Sequence, residues 1–274
     1  MSLIPEEIEA HYRESSESQR LSGSRQGELE RLRTQQILAR HLPPAPAAIF
    51  DVGGAAGVYA FPLAQQGYQV HLIDPVELHL KQARSYAAES RIALASVAKG
   101  DARHLDAPSG SADAVLLLGP LYHLVEYADR LQALREARRI LKARGVLFAA
   151  AVSRFGSLLY GLSTGDFRDA QFREIVAADL ASGQHRNPTN NPAYFTTAYF
   201  HRPEELAAEV RDAGFGEVQI VAVEGPAWCT GLFHEAWDNP ALRKSLMEFL
   251  SVIERESSIL GASGHFIAVA HRRS

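Results

Sequence analysis

The chain is nearly devoid of cysteine: of 274 residues only Cys229 carries a thiol. A lone thiol can build neither an intramolecular disulfide nor a cysteine-based zinc site. That fits a reducing compartment, with Cys229 acting as a small apolar side chain. Long apolar runs are missing too. The longest, Ala114 to Val125, is interrupted by Gly119, Pro120 and His123 and is too short to span a bilayer. The first ten residues are acidic without an apolar stretch, so no signal peptide is expected. Nor is there an excess of one charge: 28 Lys and Arg against 32 Asp and Glu leave a net charge of −4, which gives no global attraction to nucleic acid. The expectation is a cytoplasmic protein with neither a nucleic-acid nor a membrane partner, its oligomeric state open.

What is present is ordinary globular composition, 46% hydrophobic and 22% charged. Residues 1–25 are polar and read as a short helix and a loop, and Gln26 to His41 has helical apolar spacing. Pro43, Pro44 and Pro46 then mark a linker. Beyond it strands and helices alternate. Strands are expected at Ala47–Val52, Gln69–Asp74, Leu94–Lys99, Ala112–Leu118 and Gly145–Val152, with helices at Val58–Gln66, Val76–Glu89 and Tyr127–Leu141. Such alternation implies a parallel sheet covered on both faces. The rhythm stops at Ser153. Residues 154–202 read as two helices and an aromatic, Pro- and Asn-rich loop from His185 to Arg202, a candidate cap. It resumes with helix Pro203–Ala213, strand Glu217–Val223, helix Ala241–Ser258 and strand Gly264–His271. The division expected is an N-terminal helical arm (1–46), an α/β core (47–153), an inserted cap (154–202) and the rest of the core (203–274).

Four motifs carry chemistry. Asp51-Val-Gly53-Gly54-Ala55-Ala-Gly57 is a strand running into a glycine-rich turn and a helix, where glycines admit positive φ and let a ligand approach the backbone. The dinucleotide spacing G-x-G-x-x-G ending at Gly57 would need glycine at 52, where Val stands. Asp51 would also oppose a pyrophosphate, yet favour a cationic sulfonium or ammonium. Asp74, at the tip of the second expected strand and followed by Pro75, is placed to accept ribose hydroxyls. Asp101, in Gly100-Asp101-Ala102, is placed to accept an adenine amino group, with the next backbone N–H reaching the ring. Leu118-Gly-Pro-Leu-Tyr122-His123 leaves the fourth strand at the carboxyl edge of the sheet, where ligands bind in open α/β sheets.

In that order these segments resemble motifs I, post-I, II–III and IV of class I S-adenosylmethionine-dependent methyltransferases, closest to the UbiE-like small-molecule type. The resemblance covers residues 26–152 by motif and 203–271 by topology only. It implies a doubly wound, Rossmann-like, seven-stranded mostly parallel sheet whose last strand is antiparallel. It implies S-adenosyl-L-methionine held by Gly53, Gly54, Gly57, Asp74, Asp101, Ala102 and Leu118. The family's central glycine is Ala55 here, and a methyl group fits if φ at that position is negative. By the same resemblance the N-terminal arm closes over the donor, with Tyr12 and Arg33 reaching its carboxylate.

Methyl transfer from a sulfonium is an in-line displacement, so alignment and exclusion of water dominate, and a base is needed only if the acceptor must lose a proton. His123 is the leading candidate for that role, followed by Tyr122, His201 and His185, each of which also has a simple packing role to play. Tyr194, Tyr199, His201 and Trp228 are the expected walls of a small-molecule acceptor pocket. No metal-ligand cluster is read, His104 with Asp106 and His234 with Glu235 being treated as surface pairs. Two other classes stay open: a Rossmann-type nucleotide-binding dehydrogenase, although no tyrosine has a lysine four residues on, and a non-catalytic protein of the methyltransferase fold. The acceptor atom, O, N, C or S, is left open.

Overall fold

A computed structural model of the chain describes residues 4–14, 20–189 and 191–273. Helix α1 (Glu6–Glu14) precedes α2 (Arg25–His41), whose first turn is capped by the Ser24 hydroxyl accepting from the Gly27 N–H. The alternating part follows: β1 (Ala48–Val52), α3 (Ala60–Gln65), β2 (Gln69–Asp74), α4 (Glu77–Ser90), β3 (Ser96–Lys99), β4 (Ala112–Leu117), the single turn α5 (Pro120–His123), α6 (Tyr127–Ile140) and β5 (Leu141–Val152). Then come α7 (Gly156–Thr164), α8 (Ala170–Ser182) and a hairpin of β6 (Gln184–His185) with β7 (Ala198–Tyr199). The chain closes with α9 (Pro203–Asp212), β8 (Val218–Ala222), α10 (Phe233–Asp238), α11 (Pro240–Ile253) and β9 (His265–His271).

Seven strands form one sheet in the order β3-β2-β1-β4-β5-β9-β8. All neighbouring pairs are parallel except those made by β9, which runs antiparallel to β5 and β8. The central strands are apolar runs because both faces are covered. On one face Leu134, Ile140, Leu206 and Val210 of α6 and α9 pack on the sheet. On the other, Ile37, Leu38, Phe61, Leu63 and Ala83 of α2, α3 and α4 do. Strand order reverses between β1 and β4, which opens a crevice beyond their carboxyl ends.

The departures from expectation are local. Strand β5 starts at Leu141 rather than Gly145, through a register shift against β4. The hairpin β6–β7 stands inside the expected loop, each strand being only two residues long and so too short to show alternation. The helix expected to run to Ser258 ends at Ile253, and α10 precedes it, Asn239 capping α11. No helix among the described residues is long and apolar enough to cross a membrane.

Candidate active site

A cleft lies over the switch point. Its walls are the loop after β1 (Gly53, Ala55), the tip of β2 (Asp74, Pro75), the loop after β3 (Asp101, Ala102, Arg103) and the turn after β4 (Pro120, Tyr122, His123). Ile8 and Tyr12 of α1 roof it. The loop is built for close approach. Gly53 has φ +71°, and a Cβ there would stand 2.7 Å from the Pro120 ring. A Cβ on Gly54 would stand 2.6 Å from the Asp51 carboxylate and 2.4 Å from Leu72. Ala55 overturns one expectation: its φ is +48°, left-handed rather than negative. The conformation is held by its N–H, which donates to Asp74 Oδ2 at 2.9 Å.

The acidic residues have distinct placements. Asp51 lies behind Gly54, outside the cleft wall, with neither carboxylate oxygen hydrogen-bonded. Burial, and then the charge of Asp74, push its pKa up to about 7. A buried carboxylate without a partner is costly. A cation bound over this loop relieves that cost, and the site therefore suits the sulfonium and ammonium of the expected donor. Asp74 faces the cleft but is already busy: Oδ1 accepts from Val76 N–H and His79 Nδ1, Oδ2 from Ala55 N–H. A carboxylate has about four lone-pair directions, so one stays free for a ribose hydroxyl, and the second hydroxyl requires His79 to yield. The Asp101 carboxylate is gripped by the Arg103 guanidinium, with Nη2 at 2.6 Å, and Arg103 continues to Asp129. An adenine amino group reaching Asp101 competes with that fork. Ala102 lines the cleft, whereas Leu118 packs into the core beneath it and Gly57 is turned against Phe61.

Arg33 does not reach the cleft. Its fully buried guanidinium donates to Glu254 at 2.5 Å, to the Val223 carbonyl and to Ser251 and Gln36, tying α2 to α11. The reason is tertiary: its carboxylate partner lies 221 residues away in sequence. Tyr12 does reach it, through a 2.5 Å contact between its hydroxyl and His123 Nε2. His123 Nδ1 faces the Thr197 carbonyl at 3.4 Å. Burial holds the His123 pKa at about 4, so the ring is neutral. With Nδ1 as donor, Nε2 is left as the acceptor. Tyr122 is buried beside it, the two rings 4.7 Å apart.

A second cavity lies beneath residues 154–202, lined by Tyr160, Phe172, Tyr194, Phe195, Phe200 and Trp228 together with Arg20, Glu30, Ser157, Glu224 and His265. Of the expected acceptor walls it includes Tyr194 and Trp228. Tyr194 donates to Asp169 at 2.6 Å, and the Trp228 indole to the Ala262 carbonyl. Tyr199 and His201 are not on it. Tyr199 lies 3.8 Å under the Arg130 guanidinium, facing a depression beside Glu205. His201 is fully buried and donates to Glu209, itself paired with Arg130. Both belong to the framework joining the cap hairpin to α9, because β7 turns alternate side chains to opposite sides. His185 likewise is braced between Asp179 and the Tyr194 carbonyl.

Sequence reasoning placed Phe195 only within the aromatic loop from His185 to Arg202 and missed Ser157, Glu30, Glu224 and His265. Phe195 holds φ +64° and ψ −178°, a region that residues other than glycine seldom visit. Its ring lies 5.8 Å from His123 and on the wall of the second cavity, between the two spaces. Glu30, Glu224 and His265 come from three distant segments and meet within 4.8 Å, a proximity no local pattern encodes.

Compared with known proteins, residues 50–149 match the methyltransferase domain family. A ubiquinone biosynthesis O-methyltransferase of Xanthomonas axonopodis pv. citri (strain 306) is 28% identical over 220 residues, 80% of this chain and 80% of that protein. A Thermotoga maritima S-adenosylmethionine-dependent methyltransferase, described as a possible histamine N-methyltransferase, shares the fold at TM-score 0.54 and 20% identity, covering 90% of each chain. So does a phosphoethanolamine N-methyltransferase 2 of Haemonchus contortus solved with S-adenosyl-L-methionine, at TM-score 0.57 and 15% identity over 89% of this chain and 52% of that one.

Proposed function

We propose that this S-adenosylmethionine-dependent methyltransferase acts on a small molecule and methylates an oxygen, in an acceptor seated beneath residues 154–202. On this reading residues 47–153 hold the donor, 154–202 enclose the acceptor, 203–274 complete the sheet, and the helices of 1–46 cover the cleft. The protein works in the cytoplasm without nucleic acid. The donor supplies a methyl group on a sulfonium, a good leaving group, so the protein's tasks are alignment, exclusion of water and custody of one proton.

The observation that carries the reading is the state of His123. Its imidazole is neutral with Nε2 as the acceptor; burial lowers its basicity, and the Thr197 carbonyl at Nδ1 offsets this by favouring the protonated ring that a general base becomes. A phenolic hydroxyl, that of Tyr12, already donates to that nitrogen at 2.5 Å, as the hydroxyl of an acceptor would. An acceptor replacing Tyr12 there gives its proton to Nε2 as its oxygen takes the methyl group, and Thr197 O steadies the imidazolium through Nδ1. An amine that is free of its proton needs no such base. The name of the Xanthomonas relative, an O-methyltransferase, supports the same atom.

A panel of phenols, amines and thiols, assayed with labelled donor, tests this. Phenols are expected to be the preferred acceptors, and His123→Ala to lower kcat by about 100-fold or more with little change in donor affinity. Preference for amines, or full activity in His123→Ala, contradicts it.

A further inference from the structure

The second cavity joins an aromatic wall to a charged cluster, and accounting for the hydrogen bonds of that cluster shows what remains unused. Both oxygens of Glu30 take the Arg20 guanidinium, at 2.7 and 3.0 Å. Glu224 Oε2 accepts from the Ser263 hydroxyl and the His265 N–H, each at 2.8 Å. Glu224 Oε1 accepts from His265 Nδ1 at 2.6 Å, and Glu30 Oε2 lies 3.7 Å from the same nitrogen. The carboxylates are therefore spent, and two cations balance two anions. An imidazole flanked by two carboxylates is held protonated, and with Nδ1 given to Glu224 its Nε2–H, on the far side of a ring that lines the cavity and is 25% exposed, is left to donate to a ligand. Ser157 Oγ, on a residue that is 9% exposed and lines the same cavity, is buried without a hydrogen bond.

From this we infer that His265 Nε2 and Ser157 Oγ form a recognition site for an sp2 oxygen, a carboxylate or carbonyl, carried on a flat aromatic acceptor. The inference rests on the acceptor binding beneath residues 154–202. Its chemistry is that of complementary capacity. The buried Ser157 hydroxyl costs free energy until a ligand oxygen meets it, and a charge-assisted bond from the His265 imidazolium to a carboxylate is about twice as strong as a neutral one. The ring of such a ligand has Trp228, Phe172 and Tyr160 to pack against. A cationic ligand finds no free carboxylate. A divalent cation, although Glu30, Glu224 and His265 supply ligand atoms within 4.8 Å of one another, must first expel the Arg20 fork and a proton from His265.

The test is calorimetry on the full chain, first titrated with S-adenosylhomocysteine and then, saturated with it, with 4-hydroxybenzoate, 4-hydroxybenzyl alcohol and tyramine. The expected result is 4-hydroxybenzoate binding about tenfold or more tighter than either other probe. His265→Gln is expected to erase that preference while leaving S-adenosylhomocysteine affinity intact. Ser157→Ala, which removes a hydroxyl bonded to nothing, is expected to weaken the benzoate alone. Equal affinities, a preference for tyramine, no binding of any probe, or a preference that survives His265→Gln and Ser157→Ala overturns the inference. So does benzoate binding that EDTA abolishes and zinc restores, which assigns the cluster to a metal ion. If S-adenosylhomocysteine itself fails to bind, the donor reading falls instead, and the two failures are told apart in one experiment.

Discussion

Ala55 and Asp51 show how single residues in the donor loop trade stability for the site. A non-glycine residue in the left-handed region costs about 1–2 kcal/mol, and Ala55 stands at φ +48°. Glycine relieves the clash but loses about 0.4–1 kcal/mol through the unfolded chain. Ala55→Gly is thus expected to stabilise the protein by about 0.5 kcal/mol, read as a small rise in melting temperature; a fall shows the loop is unstrained. Asp51 gives a pH dependence. Its folded pKa of about 7 lies above the ordinary 3.8, so the folded protein keeps a proton that the unfolded chain has released, and stability without ligand declines as pH rises across that window. A cationic donor favours the ionised form. Donor affinity is expected to climb with pH, by up to about tenfold per unit, and to level off near 7; Asp51→Asn removes the slope. A flat profile in the wild type contradicts the coupling. These acidic positions were legible because their order along alternating strands is informative. Arg33 was not, because an arginine on a polar helix looks the same whether solvated or, as here, locked to Glu254.

The first helix is the element with the clearest consequence. Ile8 of α1 is 1% exposed and, with Tyr12, roofs the cleft. A cut near residue 25 would also remove Leu21, which belongs to the core, and Arg20, which belongs to the charged cluster. A deletion of residues 1–14 is the cleaner test. Losing the roof should weaken donor binding by about tenfold, the equivalent of part of one buried aliphatic side chain, while the unfolding midpoint of the core stays nearly constant. Unchanged donor affinity gives α1 another role. The alternating elements were readable because continuous apolar strands and amphipathic helices differ in period. The cap hairpin was not, because two-residue strands carry no period, and neither was the inward or outward sense of Tyr199 and His201, which register alone decides.

Over the whole molecule, the switch point of the sheet and the insertion after β5 set two spaces side by side with Phe195 between them. Donor and acceptor recognition are then separable, and the most direct measurement is a calorimetric titration with S-adenosylhomocysteine of the wild type, Asp74→Asn and Trp228→Ala. A single site is expected in the wild type, with binding weakened by about 2 kcal/mol in Asp74→Asn through loss of charge-assisted hydrogen bonds, and affinity within a few-fold of wild type in Trp228→Ala. A wild-type protein that does not bind, or a Trp228→Ala variant that loses the ligand as fully as Asp74→Asn, would contradict it.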